Sequence, residues 1–258
     1  KKILKKNIPV ILRVDMRYLP YLWNGEYGDK YTSFGWHFVT LIKLVESGGY
    51  AWVTETSEKG IHSIKKIKIA DLMKARGSKE GMLKADNYFY YFPEPKSTKI
   101  NYAAALNSSL EIVLDNYEKK GGVLEGLKKL PDQLKNIEDF ISSKYVLEPL
   151  FFTFHGYIET FGTGGAAFRN YYRDFLLEAG KITNNPKTKI AASQLDETCK
   201  KWENLAAEFS YISKNIKQHY GDKKKRNDLY QKASLLAEEL YIAESRFASE
   251  LRKAYKPL

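Results

Sequence analysis

Cysteine is nearly absent from this 258-residue sequence: Cys199 is the only one. A single thiol excludes an intramolecular disulfide framework and any zinc site built from several cysteines. Long apolar runs are lacking as well, since none reaches the roughly 18–20 residues that cross a bilayer. The opening stretch from Lys1 to Pro9 has charge but no long apolar segment behind it, so it does not read as a secretory signal. A cytoplasmic protein with no membrane partner is expected. Histidine is scarce: His62, His155 and His219 are scattered singly without metal-ligand spacing. Neither a metal nor another cofactor is expected.

What remains is ordinary globular composition, 28% charged and 43% hydrophobic, rather than disorder. The net charge of +11 is uneven. Residues 1–100 hold 18 Lys and Arg against 10 Asp and Glu, and the other 158 hold 24 against 21. Such an excess suits an acidic partner or, equally, a lysine-rich solvated surface. The basic residues are dispersed and match no recognition signature, so nucleic acid is not expected.

The fold class reads as α+β, with a domain boundary near the Pro93-Glu94-Pro95 punctuation. Residues 1–95 form the front domain and 96–258 a mostly helical one. Strands are expected over Pro9–Met16, Phe38–Val45, Tyr50–Glu55, Ile61–Ile67 and Tyr88–Phe92, with Ser47-Gly48-Gly49 turning the second into the third. Asp71–Ala75 is a short helix candidate. The loop to Ser33 carries Tyr21, Trp23, Tyr27 and Tyr31, a lid or packed loop. Beyond Pro95 the apolar period changes to about three and a half. Leu106, Leu110, Val113, Leu114 and Tyr117 make one stripe. Leu127 to Ile141 makes another, with Pro131 expected to divide two short helices. Residues 145–161, a stripe from Phe168 to Leu176, one from Leu195 to Ile212 and one from Leu229 to Leu251 complete the helices. Lys223-Lys224-Lys225-Arg226 reads as a solvated loop between helices. No fixed-period repeat emerges.

One pairing suggests chemistry. His37 opens an apolar strand and Glu55 closes the strand expected beside it. A carboxylate next to an imidazole can fix its tautomer and stabilise the imidazolium, leaving the other ring nitrogen to activate a thiol or hydroxyl. A hydrogen-bonded structural histidine satisfies the same spacing.

Further residues carry a family resemblance. Ile8-Pro9-Val10-Ile11-Leu12-Arg13-Val14-Asp15, Tyr18-Leu19-Pro20-Tyr21 and Gly35-Trp36-His37-Phe38-Val39 resemble the butirosin biosynthesis protein H family. Gly162-Thr163-Gly164-Gly165, Phe168-Arg169, Tyr172, Phe175-Leu176 and Glu178-Ala179, with Trp202 and Ala206, resemble the helical domain of unknown function that usually follows. The resemblance implies a papain-like, cysteine-protease-type front domain. It also implies a cysteine-dependent acyltransferase of specialised metabolism, moving an acyl or aminoacyl group from an acidic acyl carrier protein to a small amine. His37 matches the family histidine, and Glu55 falls where the family usually has aspartate. The family cysteine lies tens of residues before the segment matching Ile8-Pro9-Val10, where this sequence has seven. The front domain is therefore expected to begin partway through, with the nucleophile upstream of Lys1. Cys199, on a helical stripe, reads as a buried apolar residue.

The remaining candidates are Asp15 and Tyr18, for an amine substrate, and Gly164, Gly165 and Arg169, for a phosphopantetheine at a helix start. Loop hydrogen bonds and close helix packing explain the same residues without a ligand. Two other readings stay open: an amide hydrolase on the same scaffold, and a non-catalytic binding or scaffold member lacking the thiol. The helical half can serve as a carrier dock, a lid or a homo-oligomer surface.

Overall fold

The computed structural model describes residues 2–22, 34–56, 62–81, 83–93, 100–141, 143–160 and 163–255. It is α+β, and it divides into two compact units, Lys1–Thr98 and Lys99–Leu258.

The first unit is a five-stranded antiparallel sheet in the order β4-β3-β2-β1-β5. Its strands are β1 (Val10–Val14), β2 (His37–Val45), β3 (Tyr50–Thr56), β4 (His62–Lys68) and β5 (Phe89–Tyr90). Helix α1 (Ile69–Gly77) follows β4 directly. Alternation decides which side chains are covered. Val10, Leu12 and Val14, with Val39, Leu41, Ala51, Val53 and Ile67, form a core with Leu72 and Ala75 of α1. A bulge between Leu41 and Lys43 shifts the β2–β3 register, so Leu41 opposes Val53 but Lys43 opposes Trp52. The extra residue, Ile42, lets Leu44 reach the core face and turns Lys43 to the other. The last strand is shorter than the Tyr88–Phe92 expected, because only Phe89 and Tyr90 pair with β1.

The second unit contains α2 (Tyr102–Glu118), α3 (Val123–Lys135), α4 (Leu147–Glu159), α5 (Arg169–Thr183), α6 (Pro186–Asn215) and α7 (Lys223–Ala254). The long helices α6 and α7 run antiparallel, as the pairs Glu197–Arg246, Lys201–Glu239 and Glu208–Lys232 show. One core lies where α3 and α4 meet them, around Leu134, Phe151, Phe209 and Tyr230. Another lies where α2 and α5 meet them, around Leu110, Leu176, Leu195 and Phe247.

Three expectations need correction here. Pro131 does not divide two helices; it lies inside α3, on the same buried face as Leu127 and Leu134. Packing of that face outweighs the lost backbone hydrogen bond. Lys223–Arg226 is no loop but the first turn of α7, capped by the Asp222 carboxylate, which accepts from the Lys225 N–H. Arg226 is buried and donates twice to Glu138, at 2.6 and 3.0 Å, and to the His219 and Tyr220 carbonyls. The stripe from Phe168 to Leu176 is buried only at Leu176, while Phe168, Tyr171 and Phe175 are exposed. Phe168 precedes α5 in a left-handed conformation, which rotates it out of the helical period.

Candidate active site

β1 ends, β2 begins and β3 ends at one edge of the sheet, where Val14 pairs with His37. Gly35 leads the chain into β2. Its N–H donates to the Leu83 carbonyl at 2.8 Å. A Cβ there would lie 2.4 Å from the Ala85 nitrogen and the Leu83 oxygen, so only glycine permits this approach. His37 has the parity of Val39 and Leu41, and Glu55 that of Ala51 and Val53. Both side chains therefore leave the core-facing side of the sheet, at its end.

They meet. His37 Nε2 is 2.9 Å from Glu55 Oε1 and 3.0 Å from Oε2. Glu55 is buried, with a side chain 5% exposed, while that of His37 is 21% exposed. An ionised carboxylate only accepts, so Nε2 carries the proton and the lone pair falls on Nδ1. Among the described residues, Nδ1 has no hydrogen-bond partner. Tyr21 joins the cluster by donating its hydroxyl to Glu55 Oε2 at 3.1 Å. Burial and then the charge of Glu55 push the Tyr21 phenol far above its ordinary range, so it stays a donor. The sequence places Tyr21 in an aromatic loop; the signal for its role was the stiff Leu19-Pro20 approach, which seats it in a 3₁₀ turn, Pro20–Leu22. Trp23, Tyr27 and Tyr31, the rest of that aromatic group, lie outside the described residues.

Asp15 is at the same edge but turned inward. It is fully buried, and accepts from the Arg17 and Phe34 N–H groups at 3.1 Å and from Ser78 Oγ at 2.6 Å. These bonds clasp the end of β1 to the approach to β2 and to the end of α1. Tyr18 donates to Glu80 Oε1 at 2.7 Å, and Arg17 donates to Glu80 Oε2 at 2.6 Å. The hydrogen bond to Glu80 raises the Tyr18 phenol above its usual range.

The helical candidates are placed differently from their expectation. Gly164 and Gly165 begin a run of left-handed residues that continues through Ala166, Ala167 and Phe168. This turn separates the glycines from α5; Gly162 lies outside the described residues. A Cβ on Gly164 would strike the Tyr171 ring, and the Ala166 N–H donates to Glu159. Arg169 points into the core, where its Nε donates to Glu244 Oε1 at 2.8 Å. Glu244, wholly buried, also accepts from Trp202 Nε1 at 2.6 Å and from the Tyr117 hydroxyl at 2.8 Å. The guanidinium is stacked over Trp202, 4.9 Å from the ring centre. Cys199 is buried in the same core, and burial pushes its thiol up to about 11. A thiol of that kind is a poor nucleophile at neutral pH.

Among the described residues, no group of three or more His, Cys, Asp and Glu could hold a metal ion, and no helix is long and apolar enough to cross a membrane. No curated protein matches the sequence. A family model described as a domain of unknown function (DUF4872) matches residues 70–251. That span takes in most of α1, β5 and nearly all of the helical unit, and leaves His37 and Glu55 before it. By that match the chain belongs to the DUF4872 family.

Proposed function

We propose that this chain is a papain-like, butirosin biosynthesis protein H-like acyltransferase of specialised metabolism, in which His37 is the general base and Glu55 its orienting acid. One observation carries the reading: the imidazole is gripped at Nε2 by a buried carboxylate, while the ring as a whole stays partly exposed at the sheet end. That is the geometry an acid–imidazole pair needs to act on a third group.

The third group that this reading requires is a cysteine thiol presented to Nδ1. Cys199 does not suit the role, being buried with its thiol held protonated. Nδ1 takes the thiol proton, and the thiolate adds to the carbonyl of a carrier-bound thioester. The carrier thiol leaves with the proton returned by the imidazolium, and the acyl group stays on the enzyme as a thioester. A small amine then attacks, gives its proton to Nδ1, and the enzyme thiol departs protonated. Glu55 keeps Nε2 protonated and stabilises the imidazolium at each stage. Tyr21 anchors Glu55.

Intact-mass measurement of the native-length protein with acyl carrier protein thioesters tests the reading. A covalent acyl adduct is expected, absent in His37→Ala, and discharged faster by added amines than by water. Discharge to water alone makes the protein a hydrolase. Failure of any thioester to load the protein overturns the acyltransferase.

A further inference from the structure

Antiparallel sheets commonly bury one face and present polar residues on the other. Here the outward face departs from that pattern. Trp36, Phe38, Ile42, Ile64 and Tyr90 are all exposed, between 38% and 60%. They belong to β2, β4, β5 and the residue leading into β2, so the apolar surface crosses the sheet instead of lying along one strand. Exposed large apolar side chains grouped on one face mark an interaction surface.

Its charge is one-sided. The sole carboxylate in the five strands is Glu55, which is buried on the opposite side. Arg13, Lys43, Lys66 and Lys68 share the outward side, the last three exposed. We infer that this face docks an acidic protein surface, whose carboxylates meet Lys43, Lys66 and Lys68 while its apolar side chains cover Phe38, Ile42 and Ile64.

Three other occupants fit less well. A second copy of the same face would set lysines against lysines with no carboxylate to pair them. Single-stranded nucleic acid needs free ring faces for its bases to stack on. Arg13 already lies 4.0 Å from the Tyr88 ring centre and 5.8 Å from that of Trp36, and Lys66 lies 4.0 Å from that of Tyr50. Bases would have to displace those cations. An anionic membrane supplies charge, but Ile42 and Ile64 are set in a hydrogen-bonded sheet and not on an amphipathic helix that can sink into the headgroups.

The inference rests on the acyltransferase reading only for its probe, an acidic acyl carrier protein in its phosphopantetheinylated form. Binding of that carrier to the native-length protein is measured by titration calorimetry, with Lys43→Glu/Lys66→Glu and, separately, Ile64→Glu. Either variant is expected to weaken binding at least about tenfold, and raised salt is expected to weaken wild-type binding too. Circular dichroism confirms that each variant is folded. Loading from a small-molecule acyl thioester, which needs no carrier, reports the His37 site by itself and is expected to be equal in all three proteins. If wild type fails to load from it, the site reading falls while the docking measurement still stands. Unchanged carrier binding in both variants, or no binding by wild type, overturns the docking face. So does a face already protected from hydrogen exchange and tryptophan quenching in the free native-length protein, which would mean that the protein covers it itself. Binding of oligonucleotides or phosphatidylserine vesicles, lost in the same variants without carrier binding, assigns the face to those ligands instead.

Discussion

Two of the buried carboxylates among the described residues, Glu244 and Glu55, are buried in opposite ways. Glu244 is sealed in the helical unit with its donors around it: a guanidinium, an indole N–H and a phenol. Burial and the Glu244 charge together raise the Tyr117 phenol well above its usual range. Burial alone would lower Arg169, but the adjacent carboxylate more than offsets it, and the guanidinium stays charged. Those donors converge on a carboxylate with no exposure, although the Arg169 side chain itself keeps 18%. Glu55 is nearly as buried, yet its imidazole partner stands at the end of a sheet, partly exposed and with one nitrogen free of described partners. A sealed cluster spends its polarity on specifying the fold; one that ends on an accessible titratable ring has polarity left over for chemistry.

The comparison predicts unequal costs. Glu244→Gln leaves the largely buried Arg169 without its counter-charge, and is expected to destabilise the helical unit by about 3 kcal/mol, read by denaturant unfolding. A loss below about 1 kcal/mol would mean that water enters the cluster, and the contrast with Glu55 would collapse. At the sheet end the order of stability and activity should reverse. His37→Ala is expected to cost about 1–3 kcal/mol, because Glu55 keeps Tyr21 and gains water, yet to abolish acyl loading. Tyr21→Phe, measured in the same two ways, is expected to cost about 1 kcal/mol and to slow loading without abolishing it. If loading survives His37→Ala, the Glu55 cluster is as structural as that of Glu244.

The smallest effect sharpens the contrast from a third carboxylate, Glu138. The Arg226 hydrogen bonds hold it below the ordinary carboxylate range, helped by Tyr230 and opposed by partial burial. A depressed value in the folded state stabilises the protein at neutral pH, and that contribution disappears as the pH falls through the folded value. The stability difference between wild type and Glu138→Gln should therefore shrink between pH 5 and about pH 3 in an acid series of unfolding curves. A constant difference would show that the pair contributes through shape and not charge.

Much of this was legible in the sequence, and the reasons are local. Period-two runs bounded by Ser47-Gly48-Gly49 specified the β2–β3 hairpin, and period-three-and-a-half leucines specified α2 and α6. The nearness of His37 and Glu55 followed from a strand beginning opposite a strand end. What escaped was non-local or depended on a single turn. Tyr21 reaches Glu55 across 34 positions, which no spacing rule anticipates. The burial of Arg226 depends on Glu138, 88 positions away, so a run of four basic residues looked like solvent-facing loop. Pro131 reads as a helix breaker because proline's cost in a helix is local, whereas the face that overrides it is assembled from distant helices.

The bulge at Ile42 has a last consequence, for how lineages of this protein can vary in length. Between the Ser47-Gly48-Gly49 turn and Thr40, every residue of β2 but one is counted in the pairing with β3. Gaining or losing a counted residue would move His37 one step and swing it to the other side of the sheet, away from Glu55. Ile42 is the residue that pairing skips. Losing it leaves Leu41 opposite Val53, Lys43 opposite Trp52 and the imidazole where it was, so it marks the place in this strand where a deletion is compatible with the site.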